Sequence, residues 1–370
     1  MGDCGPQRSG RINAKYLTTA AEVQGFVARA AQAPWVGLDT EFVRERTYNP
    51  QLCLLQMSTV DELVLVDVLA LDDLAILRPL LEQGPVKLVH SPGQDFEALA
   101  TRGCARLNPL FCTQAAHALL GGPPQIGYAG LVQERLGIAL AKDQTRTDWS
   151  RRPLSAAQMG YAADDVRHLG ELYRQLTDAL AAAGRTEWMR EEMEVLEQAW
   201  ALPDPLVLAL RARGLERLEP VEQCRFIALS QWREQRARDS DKPRSWIAKD
   251  GFLQALARRP PADLDALAQF ADCTPGLLRN QGETLLRVLR EAEAACPELP
   301  APLSRDAIKS VQKRIQAVAE RLAIDPAVLA VRADCEEWLR SSGGRLARGW
   351  RAEVLGQALV ADGAGVTPTP

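Results

Sequence analysis

The chain has 370 residues, 46% hydrophobic and 25% charged, with a formal net charge of −4, which is ordinary for a globular protein and long enough for two or three domains. No run of eighteen apolar residues occurs and the opening MGDCGPQRSGRINAK lacks an apolar core, so neither a membrane span nor a signal peptide is expected. Eight scattered cysteines without a Cys-x-x-Cys pair, beside three histidines, argue against a zinc site and for a cytoplasmic protein with reduced thiols; no organic cofactor is expected.

Residues 1–14 read as a flexible tail. From 15 to 202, strand and helix signals alternate, as an α/β layer fold requires. Thr18 to Ala31 predicts a first helix, and strands follow over about 35–42, 51–58 and 63–68. In the first of these strands an apolar run ends in Asp39 and Glu41, two apart and therefore on one face. Two carboxylates that close repel unless a cation sits between them. Taken alone, Asp-x-Glu is better read as a turn or a salt-bridged strand end. Val86 to Val89 predicts a further strand. Ser91 and Pro92 then offer an N-cap and a first-turn proline, with Asp95 in the first turn of the helix they open. An acid there is also what a helix dipole favours. A short strand near 108–112 follows. Ser155 to about Leu180 predicts a helix carrying Tyr161 and Asp165 on one face, with Asp164 turned about 100° away. An amphipathic helix with a half-buried tyrosine would look the same.

After Pro203-Asp204-Pro205 the pattern is purely helical, over 206–212, 220–238, 244–257, 261–268 and 274–293. A proline-rich boundary lies at 296–302. Helices resume over 303–322, 325–333 and 336–340, with Asp325-Pro326 as a helix start. Residues 362–370, DGAGVTPTP, read as disordered.

Asp-x-Glu after a strand, a second Asp about fifty residues on, and Tyr-x-x-x-Asp on a helix together resemble the tyrosine-containing branch of the DEDD exonuclease superfamily. The strings GLDTEFVRERTYNPQLCLLQ, LVHSPGQDFEAL, TRTDWSRRPL and YAADDVRHL resemble its ribonuclease D family, over roughly residues 15 to 360. The resemblance implies an α/β catalytic domain over 15–202, with a ribonuclease H-like mixed sheet. Two all-α modules would follow, an HRDC domain over 206–295 and a second HRDC-like domain over 300–361. It implies a monomeric, metal-dependent 3′–5′ exoribonuclease that trims tRNA precursors and other small structured RNAs, away from membranes, releasing nucleoside 5′-monophosphates. Asp39, Glu41, Asp95 and Asp165 would hold two Mg²⁺ or Mn²⁺ ions, hard cations suited to carboxylates. By the same resemblance Asp39 bridges the ions, Glu41 and Asp165 hold the nucleophile-side ion, and Asp95 acts through the outer shell. Tyr161 would orient the attacking water, since a phenol with a pKa near 10 is a weak base at neutral pH.

Two segments are candidate RNA contacts. KDQTRTDWSRR over 142–152 offers Lys142, Arg146, Trp149 and Arg152 to the RNA 3′ end, or is a solvated loop anchored by its tryptophan. In the first helical module Arg236 and Arg244 lie among Arg233, Arg238 and Lys242, with Trp232 and Trp246 nearby. That mix suits backbone and stacking contacts, and equally a solvated helix with snorkelling arginines. The net negative charge makes RNA affinity rest on such local patches, and makes it salt-sensitive. His90 reads as a hydrogen-bonded strand-end residue or a site neighbour, and Gln56 as a buried polar residue or a substrate contact. The rival readings are a proofreading-type 3′–5′ DNA exonuclease, which uses the same acids, and a non-catalytic RNA-binding scaffold. Loss of a cage acid would favour the scaffold, and all are present.

Overall fold

The computed structural model describes residues 13–104, 106–141, 147–198, 204–294 and 303–360. Lys142, Arg146, the boundary at 296–302, residues 1–12 of the tail expected over 1–14, and the tail expected over 362–370 lie outside the described residues. The chain divides into two compact units. One comprises Met1–Val43, Leu52–Trp200 and Leu303–Pro370; the other comprises Arg44–Gln51 and Ala201–Pro302.

The first unit is built on a six-stranded sheet: β1 (Lys15–Leu17), β2 (Trp35–Val43), β3 (Gln51–Ser58), β4 (Leu63–Asp67), β5 (Val86–Val89) and β6 (Leu110–Cys112). Their order is β1-β4-β3-β2-β5-β6. β3 and β4 are nearly continuous apolar runs and every residue of β4 is buried, which suits strands covered on both faces. β3 runs antiparallel to β4, with Gln56 opposite Leu65, while β1–β4, β2–β5 and β5–β6 are parallel. The sheet is therefore mixed, as expected.

The helices of this part are α1 (Ala20–Ala30), α2 (Arg78–Glu82), α3 (Gly93–Ala100), α4 (Thr113–Leu119), α5 (Tyr128–Leu136), α6 (Ala156–Arg167), α7 (Leu169–Ala182) and α8 (Thr186–Gln198). Capping boxes start α1 at Thr19 and α6 at Ser155, each satisfying two free backbone donors. Two local expectations are corrected. Ser91 does not cap α3: its φ is +59°, a left-handed turn, and Pro92 takes the cap position with Asp95 still in the first turn. The single helix expected from Ser155 breaks at His168 (φ −103°, ψ 0°). Beyond the break α7 lies so close to β2 that a Cβ on Gly170 would come within 2.2 Å of the Trp35 ring. Tertiary packing thus overrides a sequence with no breaker at 168.

α15 (Arg305–Leu322), α16 (Pro326–Leu329), α17 (Arg332–Ser341) and α18 (Gly349–Val360), from the expected 300–361 module, share one hydrophobic core with the sheet and its helices. Trp350 stacks on Trp188 of α8 with centroids 4.4 Å apart. Glu192 of α8 accepts from Trp350 Nε1 at 2.9 Å and pairs with Arg351.

The other unit holds α9 (Pro205–Leu210), α10 (Pro220–Ser240), α11 (Arg244–Ile247), α12 (Asp250–Arg258), α13 (Leu264–Ala268) and α14 (Pro275–Ala294). Its core contains Phe226, Leu229, Phe252, Leu256 and Leu285. The helix expected over 244–257 is split in two by extended backbone at Ala248. The β2–β3 connection belongs to this unit. Tyr48 donates its hydroxyl to the buried Glu234 carboxylate, and the Asn49 N–H reaches Asp241 at 2.9 Å. Cys53, Cys104, Cys112, Cys273 and Cys335 are free. Cys224 is disulfide-bonded, so the reduced-thiol expectation does not hold there. No described helix is long and apolar enough to cross a membrane.

Candidate active site

β2 presents Asp39 and Glu41 on one face, and α6 brings Asp165 against them. One carboxylate oxygen from each of the three lies within 4.8 Å of the others. Asp95 and Tyr161 line the same cleft, a cavity of about 410 Å³ whose wall also includes Trp149, His90, Gln94 and Tyr128. Asp95 is held by the Thr40 hydroxyl, which donates to its Oδ1. Thr40 alternates with its two acidic neighbours along the strand. The same strand end therefore supplies two acids and the clamp for a third.

Four carboxyls in one cleft raise one another's proton affinity. Burial, then Asp95, Asp165 and Glu41, pushes Asp39 well above the usual carboxylate range. Burial, then Asp165 and Asp95, pushes Glu41 up to about 9. Asp165 rises to about 7 through burial, then Asp164 and Asp95. Asp95 rises to about 6 through burial, opposed by the Thr40 hydrogen bond. A divalent cation relieves this repulsion. An all-carboxylate donor set, without thiolate or imidazole, suits hard oxygen-seeking ions, so the residues present fit a divalent metal.

The remaining expected contacts divide. Trp149 is 2% exposed and its ring lies 6.2 Å from that of Tyr161, so it is an anchored wall of the cleft. Arg152 is bonded within the protein. Its guanidinium spans both Asp67 oxygens at 2.7 Å, the Cys53 carbonyl at 2.9 Å and the Trp149 carbonyl at 2.7 Å, which uses up its donor fork and seats Trp149. Arg244 is likewise committed. It pairs with Glu234 and lies over the Tyr48 ring, 5.4 Å from its centroid. Arg236 is exposed on α10.

His90 is both things the sequence allowed. It lines the cleft, and its ring nitrogens lie 2.9 Å from the Thr113 hydroxyl and the Ile126 carbonyl. Burial lowers its pKa to about 4, so it is neutral. Nε2–H then donates to the Ile126 carbonyl, and the Thr113 hydroxyl lies between Nδ1 and the Val89 carbonyl, 3.1 Å away. Gln56 is fully buried and is absent from the cleft wall. Sequence reasoning missed Thr40 and Tyr128. Strand alternation was the available signal for Thr40; Tyr128 gave none, because its partner is a backbone group forty residues away.

Comparison with known proteins agrees with this geometry. Residues 14–181 match the 3′–5′ exonuclease domain family and residues 222–289 match the HRDC domain family. Ribonuclease D of Xanthomonas oryzae is 41% identical over 343 residues, covering 88% of this chain and 92% of that protein. Ribonuclease D of a Shewanella species is 35% identical, covering 93% of each. The crystal structure of Escherichia coli RNase D superposes with a TM-score of 0.83 at 28% identity, covering 94% of this chain and 98% of that one.

Proposed function

The chain belongs to the ribonuclease D family and is a hydrolytic 3′–5′ exoribonuclease using divalent metal, and we propose that it trims the 3′ ends of tRNA precursors and other small structured RNAs. The E. coli relative is an exoribonuclease involved in structured RNA processing, which supports that substrate class. The observation that carries the site assignment is the convergence of the Asp39, Glu41 and Asp165 oxygens beside Asp95 and Tyr161.

In this reading Asp39, Glu41, Asp95 and Asp165 hold two ions, Mg²⁺ or Mn²⁺. When bound, such ions neutralise phosphoryl charge and lower the pKa of water. The protein's own groups do the placing. Thr40 keeps Asp95 turned into the cleft. Tyr161 orients the attacking water through its hydroxyl, and Trp149 packs beside it. The released product is a nucleoside 5′-monophosphate. The enzyme works as a cytoplasmic monomer, built of a catalytic domain over 15–202 and helical modules over 206–295 and 300–361. Arg236 is the described candidate left for an RNA phosphate.

A structured RNA and its DNA equivalent, each 3′-extended and 5′-labelled, test the reading with Mg²⁺, Mn²⁺ and EDTA. Stepwise shortening of the RNA that stops in EDTA is expected. Equal shortening of the DNA would favour the proofreading-type alternative, since the 2′-hydroxyl is what separates the two substrates.

A further inference from the structure

Tyr128 opens α5 directly after Gly127, and its ring lines the same cavity as the four carboxyls. Its hydroxyl oxygen accepts the backbone N–H of His168 at 3.2 Å. His168 is the single residue between α6 and α7. In an unbroken helix its N–H would reach the carbonyl of Asp164. At the break that N–H turns back on Val166 and outward to the phenol. The phenol therefore shares with the Val166 carbonyl a backbone donor that the break takes out of the helical ladder. Asp165 lies within the last turn of α6 before this point.

The ring is itself fixed. It meets His90 edge-on with centroids 5.6 Å apart, and His90 bonds the Ile126 carbonyl two residues before Tyr128. The end of β5, the start of α5 and the end of α6 are thereby tied together around one phenol.

We propose that Tyr128 is a positioning residue: by holding the His168 N–H it fixes the end of α6 and so places the Asp165 carboxylate in the metal cage. The proposal rests on the reading of Asp165 as a metal ligand. It differs from the role of Tyr161, whose hydroxyl serves the attacking water.

Tyr128→Phe removes the hydroxyl and leaves the ring against His90. Mn²⁺ binding by calorimetry without RNA, the metal-free melting temperature, and steady-state kinetics on a short unstructured RNA are measured for the full chain, for Tyr128→Phe and for Asp165→Asn. Tyr128→Phe should weaken Mn²⁺ binding ~10-fold or more, as loss of outer-shell partners does. It should lower kcat at limiting metal while KM for RNA stays within about twofold, and leave the metal-free melting temperature nearly unchanged. Normal Mn²⁺ binding by Tyr128→Phe beside lost binding by Asp165→Asn overturns the positioning role alone. So does weaker binding that merely tracks a lowered metal-free melting temperature. Normal Mn²⁺ binding by Asp165→Asn overturns the ligand assignment, and the proposal with it.

Discussion

Thr40 donates its hydroxyl to Asp95, so the residue between the two strand acids holds the third acid from α3. The bond opposes the rise that burial imposes on Asp95, whose pKa stands at about 6. Thr40→Val keeps the shape and removes the donor. The acid limb of the kcat/KM profile should then move to higher pH, because Asp95 ionises less readily. A cost of about 1–3 kcal/mol in stability is expected for a buried charged acceptor left unpaired. A pH–rate profile on a short RNA checks this; an unmoved acid limb would mean that Thr40 only packs.

Asp39→Asn should abolish hydrolysis and leave the fold intact. Burial and three acidic neighbours disfavour Asp39 as an anion. Neutralising it without changing its size should keep or raise the metal-free melting temperature. Turnover at the parent rate would remove Asp39 from the cage.

The metal-free protein should lose stability as pH rises. Glu41 at about 9, Asp165 at about 7 and Asp95 at about 6 all bind protons more tightly folded than unfolded, where carboxyls titrate near 4. Stability falls with pH wherever the folded state holds more protons. Their contribution is fully present below about pH 4 and is lost as pH climbs from there to the folded values, completely for Asp95 by about 6 and for Glu41 by about 9. Mn²⁺ should remove much of this slope by replacing the protons. Melting curves in EDTA and in Mn²⁺ across that range decide it; parallel curves would contradict the charge crowding.

Tyr161→Phe should lower kcat by about 10²–10³, the usual loss for one catalytic hydrogen-bonding group, with Mn²⁺ affinity retained. Calorimetry and single-turnover kinetics separate the two effects. Lost metal binding would make the hydroxyl a structural group.

Trp350→Ala should destabilise the catalytic unit by about 3–5 kcal/mol. Trp350 is 1% exposed, stacks on Trp188 and bonds Glu192. Urea unfolding followed by loss of nuclease activity reports the unit that holds the cage. An unchanged activity midpoint would show that the last helices fold separately from it.

Much of this was legible in the sequence because it depends on local order. Apolar runs marked β2 to β5, and residue spacing put Asp39 with Glu41 and Tyr161 with Asp165. What stayed hidden depends on partners far along the chain. Arg152 bonds Asp67, which lies eighty-five residues earlier. Arg244 pairs with Glu234 and also reaches the Tyr48 hydroxyl, nearly two hundred residues earlier. The break at His168 has no proline to announce it, and Gly170 two residues on reads as an ordinary helical glycine until its packing against Trp35 is seen. The boundary near residue 203 was visible as a change of pattern, yet the core of the first unit resumes a hundred residues later.

That interrupted path sets the order in which the molecule can be completed during synthesis. A ribosome adds about 5–20 residues per second and domains fold as units. The sheet emerges first, and the whole of Ala201–Pro302 follows before Trp350 exists to cover Trp188. The unit that holds the acids begins earliest and closes last, leaving Trp188 of α8 without its stacking partner until the final helices arrive.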